Sequence, residues 1–232
     1  MIDHERDLVS VREATDRLLD AAASWDNAAT AEPSRLPGWT RGHVLAHLAR
    51  NADALVNVLE GRPMYPDAAT READIERDAH RPLDAQLADV RESADRLRAV
   101  GERPADWSRT VELRNGVTDS AARVPFRRWV EVALHHVDLG AGYELEDLPE
   151  EFVLREVEFL ADRWSGRPGV PPVTLRLDPE EGPAWHTGGT EGTPVVLAGT
   201  GPDLLGWLSG RGDKGARLVV LSGDGLPDLP PL

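Results

Sequence analysis

The chain has 232 residues, 41% of them hydrophobic, enough to bury a core in each of two domains. Its 26 basic and 41 acidic side chains leave a net charge of −15, which repels a polyphosphate and argues against nucleic acid as a partner. It contains no cysteine, so disulfides, a cysteine nucleophile and thiolate metal sites are excluded, and any thiol chemistry must use a thiol from outside the chain.

The first residues are charged and lead into no apolar signal region, and no stretch approaches the length of a membrane span. A soluble, cytoplasmic protein without a membrane partner is expected. Leu8, Val11, Thr15, Leu18 and Ala22 recur at three- and four-residue steps, which predicts a helix over residues 3–24. A loop with Pro33, Pro37 and Gly38 follows. Thr40 then stands where an N-cap belongs, before a second helix over 41–60 with the stripe Val44, Leu48, Leu55 and Leu59, stopped by Gly61 and Pro63. A third helix is predicted over 83–100 from Leu87, Val90, Ala94 and Leu97, and a looser stretch over 101–123 carries Trp107, Val111 and Val117. A fourth helix over 126–141 is closed by Gly140 and Gly142. Four amphipathic helices with long connections predict a four-helix bundle over residues 1–147.

The character changes near Leu148 and Pro149. One more helix over 150–164 is followed by short β-like runs over 173–177, 194–198 and 217–221, with a short helix over 202–209 between the last two. This predicts a small α+β domain over residues 148–232, and an α+β fold class for the whole chain.

On the fourth helix Glu131 and His135 are four residues apart and project from one face, in a polar strip with Arg127 and Asp138 flanked by apolar shoulders. Such a strip either faces water or lines the inside of a bundle as a carboxylate–imidazole metal site. His47, beside the apolar stripe of the second helix, favours the second reading. One carboxylate and two neutral imidazoles suit zinc with an open position, although the same donors admit other divalent ions. His43, one turn earlier, reads as a partly exposed histidine at a helix start, and Asp138 as either a solvated aspartate or an orienting partner for a ligand imidazole. In the second domain Gly210-Arg211-Gly212 reads as a helix stop, or as an arginine on a tight turn aimed at a carboxylate. Gly199-Thr200-Gly201 reads as an ordinary strand-to-helix turn.

The segment Leu36-Pro37-Gly38-Trp39-Thr40-Arg41-Gly42-His43-Val44-Leu45-Ala46-His47-Leu48 resembles the mycothiol-dependent maleylpyruvate isomerase family, whose N-terminal part is a DinB-like metal-binding bundle. Glu131, His135, Val137, Asp138, Leu139 and Gly140 match the family's second signature, Pro63-Met64-Tyr65 is similar to the isomerase, and Gly210-Arg211-Gly212 looks like its carboxy-terminal arginine turn. The resemblance implies a sterol-carrier-like C-terminal domain, zinc held by His47, Glu131 and His135, and Arg211 as the catalytic arginine. It implies conversion of maleylpyruvate, a small dicarboxylate, to fumarylpyruvate in the breakdown of aromatic compounds. In that reaction a thiolate adds, the resulting single bond rotates, and elimination returns the thiol. With no cysteine in the chain, mycothiol supplies the thiolate. The substrate is a dianion, so Arg211, Arg127 or Arg50 are expected to reverse the acidic field locally. A mycothiol S-transferase acting on another electrophile shares the same zinc–thiol half. A non-catalytic zinc- or lipid-binding module differs from both in lacking thiol dependence. The mycothiol-contacting residues are not indicated, and a monomer is favoured.

Overall fold

The computed structural model describes residues 2–177 and 182–230, which form two units, Met1–Tyr143 and Glu144–Leu232. The first is built from α1 (His4–Ala22), α2 (Asn27–Ala31), α3 (Arg41–Leu59), α4 (Ala68–Ala79), α5 (Leu83–Gly101), a short hairpin β1 (Thr110–Glu112) and β2 (Thr118–Ser120), and α6 (Val124–Asp138). Helix α3 packs on α5 and α6, and α1 packs on the same two, so these four make the predicted bundle. Their stripes meet inside it: Leu18, Val44, Leu48, Val90, Val132 and Val137 are all essentially inaccessible to solvent. Each such side chain contributes about 1.5–3 kcal/mol by leaving water.

Local chemistry sets the helix ends. Thr40 accepts from the His43 backbone N–H, and the His43 imidazole in turn accepts from the Thr40 N–H, so a histidine fills the place usually held by glutamate in a capping box. Helix α6 begins two residues before the expected start, with Pro125 in the first turn where its missing N–H costs nothing. It stops at Asp138, and Gly140 follows at φ 64°, the left-handed conformation that ends helices. The looser stretch is the β1–β2 hairpin, whose Val111 packs with Leu113 and Val124 on Leu55, Val58 and Leu97.

Helix α4 has no counterpart in the sequence reading. It offers only Ile75 and Ala79 as buried apolar residues, too few for a stripe, although Asp67 caps it by accepting from Thr70 N–H. It lies on α3, and the two approach tightly at Gly42, where an added Cβ would stand 2.3 Å from the Ala79 carbonyl oxygen and 3.2 Å from that of Thr30. Backbone atoms on both sides leave no flexible group to yield. Gly42→Ala is therefore expected to destabilise this unit by about 2–4 kcal/mol, measurable as a lowered denaturant midpoint.

The second unit contains α7 (Glu150–Trp164), β3 (Val173–Leu177), β4 (Ala184–Thr187), β5 (Val195–Gly199), α8 (Gly201–Ser209) and β6 (Val219–Ser222). The sheet order is β4-β3-β5-β6, with β3 and β5 parallel and the outer pairs antiparallel. Val173, Leu175, Val195 and Leu197 are buried, and α8 packs on β3 and β5 while α7 packs on α8 and β4. Strand β4 was not expected: it is an edge strand, and three of its four residues, Ala184, Trp185 and His186, are at least partly exposed, so it lacks the apolar alternation of the others. Strand β6 begins at Val219 rather than at residue 217, because Arg217 sits in the preceding turn with ion pairs to Asp203 and Asp213. Gly199-Thr200-Gly201 is the strand-to-helix turn expected, with Thr200 capping α8. Among the described residues no helix is long and apolar enough to cross a membrane.

Candidate metal centre

Helix α3 presents His47 and α6 presents Glu131 and His135 to one point inside the bundle. His47 Nε2 lies 2.9 Å and His135 Nε2 3.3 Å from the same oxygen, Glu131 Oε2. One ligand atom from each residue falls within 4.8 Å of the others, and the imidazoles meet edge to face at 4.8 Å between centroids. Two nitrogens and one carboxylate oxygen converging in this way are a donor set that fits zinc with an open position.

The surroundings hold these groups in defined states. Burial pulls the His47 imidazole down to about 4, against the opposing pull of Glu131, so it is neutral at pH 7. Burial pushes against ionisation of Glu131, but hydrogen bonds and charge from His135 and His47 outweigh it and hold the carboxyl well below its ordinary range. For His135 burial also opposes the charge, yet Asp138 and Glu131 together raise it above the ordinary imidazole value. Asp138 Oδ2 accepts from His135 Nδ1 at 2.8 Å, and its side chain is buried. Of the two readings of Asp138, the structure supports the orienting partner, the group that sets the tautomer of a metal-binding histidine.

A metal ion taken up at His135 would have to displace the proton that Asp138 and Glu131 favour. Zinc affinity is accordingly expected to rise about tenfold per pH unit below the raised His135 titration and to level off above it. Binding isotherms from about pH 5.5 to 8.5 check this, and an affinity that is flat across that range would contradict it.

Arg71, on α4, was not found in the sequence. Its Nη2 lies 3.2 Å from His47 Nδ1, and its guanidinium lies 5.7 Å from the Tyr65 ring centroid. Arg71 and Tyr65 also line a cavity of about 680 Å³ together with Arg62, Met64, Arg109 and Arg114. Asp67 and Glu112 line it too, so four guanidiniums against two carboxylates leave the cavity net basic, and Arg71 links it to the His47 side of the triad. No spacing rule links Arg71 to His47; the only sequence signal was the Asp67 cap that starts α4. Arg128 on α6 is fully buried, with Nη1 donating to Leu48 O and Asn51 Oδ1, each at 2.8 Å. Its Nε and Nη2 have no hydrogen-bond partner, and burial lowers the guanidinium to about 10.

The arginines expected to supply local positive charge stand differently. Arg50 pairs with Asp89 at 2.7 Å and lies 3.4 Å from both Asp53 and Asp78, and Arg127 pairs with Asp119 at 2.7 Å, so both are engaged by carboxylates. His43 is buried rather than partly exposed, because α4 covers it. His136 stacks on Tyr143 at 3.9 Å and takes no part in the triad. Arg211 sits in the second unit just after α8. Gly210, at φ 68°, is the helix cap; Arg211 N–H donates to Gly206 O at 2.9 Å and Nη1 to Ser209 O at 3.3 Å. Gly212, at φ 58°, continues a tight turn that holds the arginine backbone.

Residues 11–140 match the family model described as the mycothiol maleylpyruvate isomerase N-terminal domain, and residues 147–230 match that of the MDMPI C-terminal domain. No curated protein matches the chain. Two solved structures are similar: a crystal structure of the mycothiol-dependent maleylpyruvate isomerase, and one of a histidine-to-alanine mutant of that isomerase. Each is 27% identical, with a TM-score of 0.87, over 99% of this chain and 97% of the other. With both of its units matched by the two domain models, the chain belongs to the mycothiol maleylpyruvate isomerase family.

Proposed function

We propose that this chain is a mycothiol-dependent maleylpyruvate isomerase that holds zinc through His47, Glu131 and His135. The observation that carries the reading is the convergence of those three side chains, with His135 already oriented by Asp138, in a chain of this family. Zinc bound there supplies a Lewis acid that stabilises negative charge on a thiol sulfur or an enolate oxygen.

The reaction needs temporary loss of a cis double bond. The thiolate of mycothiol forms a carbon–sulfur bond and pushes the alkene electrons into the adjoining carbonyl as an enolate. The former double bond rotates, and collapse of the enolate expels the thiolate and restores the alkene in the trans geometry. No redox partner is consumed. Glu131 contributes negative charge to the metal site, and Asp138 keeps the His135 Nδ1 proton so that Nε2 presents its lone pair. Arg71 places a cation between His47 and the basic cavity, where a substrate carboxylate is neutralised. Burial raises the Tyr65 phenol above its ordinary value, so at neutral pH it stays protonated and can donate a hydrogen bond. Arg211 has the role of gripping a substrate carboxylate or assisting the thiolate.

The test is turnover of maleylpyruvate by the zinc-loaded protein with and without mycothiol. Mycothiol-dependent loss of the cis enol-acid absorbance, with fumarylpyruvate as product, is the expected result. Bound zinc without turnover of this substrate would overturn the isomerase reading and direct the search to other electrophiles, as for an S-transferase.

A further inference from the structure

His43 and His47 are one helical turn apart on α3, yet only His47 belongs to the centre described above. His43 reaches instead toward α4. Its Nε2 lies 3.1 Å from Glu76 Oε2, and His80 Nε2 lies 3.1 Å from Glu76 Oε1. The two imidazoles meet edge to face with centroids 5.6 Å apart, and one ligand atom from each of the three residues falls within 4.8 Å of the others. The composition repeats that of the buried triad: one histidine from α3, and a glutamate and histidine four apart on a neighbouring helix. In the buried triad that helix is α6; here it is α4.

Several features favour a cation at this point over a chance surface cluster. Each imidazole nitrogen stands 3.1 Å from the Glu76 carboxylate, one on each oxygen, close to the roughly 3.3 Å between donor atoms around a tetrahedral zinc with ligands at about 2.0–2.1 Å. The His43 ring is buried and anchored on its far side, with Nδ1 2.8 Å from Thr40 Oγ1 and 3.2 Å from the Thr40 backbone nitrogen. The hydroxyl can accept a proton from Nδ1 and the N–H can donate to it. The ring is therefore held in either tautomer, and Nε2 is able to turn a lone pair outward. His80 is the C-cap of α4, where the negative end of the helix dipole favours positive charge. The nearest basic side chain on α4, Arg77, is drawn away to Asp74 at 2.5 Å and Asp78 at 2.9 Å.

The geometry points to a second divalent transition-metal site, formed by His43, Glu76 and His80 between α3 and the C-terminal end of α4. Two imidazoles and one carboxylate select copper, zinc or nickel over magnesium or calcium, which prefer all-oxygen shells. Glu76 and His80 are each about two-thirds exposed, 68% and 67%, so the remaining coordination positions face water. The site is accordingly weaker than the buried centre and open to a ligand that bridges from solvent. It does not depend on the assignment of zinc to the buried triad.

The experiment is a zinc titration of the full chain against a chromophoric chelator, for the wild type, His80→Ala and Glu76→Gln. Both substitutions are at exposed side chains that leave the helices packed. The wild type is expected to show a tight step and a weaker one. In His80→Ala the weaker step disappears, in Glu76→Gln it weakens by about tenfold or more, and in both the tight step is unchanged. If the buried triad takes no metal, the wild type shows one step that is lost in His80→Ala, which supports this site and rejects that one. A His80→Ala isotherm that superimposes on the wild type, whether of one step or two, overturns the proposal.

Discussion

Glu131→Gln is expected to lower zinc affinity by more than about 1000-fold, beyond the 10–100-fold typical of a lost outer-shell partner, and to remove turnover with it. The substitution keeps the size and one acceptor oxygen, so the cost is electrostatic. Glu131 Oε2 is the atom on which both His47 and His135 converge, and it is the one negative charge in the triad. A neutral amide leaves the metal with no charge-compensating ligand in a partly desolvated site, where Coulomb terms are several-fold larger than in water. The same change removes one of the two groups that raise His135, so the pH dependence of residual binding shifts to lower pH. Metal content after dialysis and competition with a chelator provide the readout. Retained zinc with lost turnover would reassign Glu131 from ligand to proton carrier.

Arg211→Met is expected to reduce turnover by about 100- to 1000-fold, as when a single donor to a developing anion is removed, and to leave zinc content unchanged. The turn survives the change because its backbone is held independently of the side chain: Arg211 N–H bonds Gly206 O, and Gly210 and Gly212 supply the left-handed conformations. Arg211→Lys restores charge without the planar two-pronged donor and should recover only part of the loss. Single-turnover rates with matched metal analysis decide the point. Loss of zinc in proportion to turnover would assign the residue to folding.

Much of the architecture was legible because it is local. The stripes of α1, α3, α5 and α6 follow the helical period, and Thr40 and Gly140 mark ends by chemistry confined to a few residues. Elements with weak stripes were not legible. Helix α4 has a polar surface and only Ile75 and Ala79 against the bundle, so its position depends on the close approach that Gly42 permits. Strand β4 takes its conformation from antiparallel pairing with β3 and not from a pattern of its own.

The same division runs through the site. Sequence alone determined that any thiol must come from outside, since there is no cysteine, and that Glu131 and His135 share one helix face, since four residues make about one turn. It also raised His47 as their companion. Only the tertiary structure brought His47 to within 2.9 Å of Glu131, a contact spanning 84 positions that depends on how α3 and α6 pack. It also decided which charges act there. Arg50 and Arg127 fold onto aspartates, while Arg71 arrives from α4, because the partner of a long flexible side chain is whichever polar group packing brings within reach.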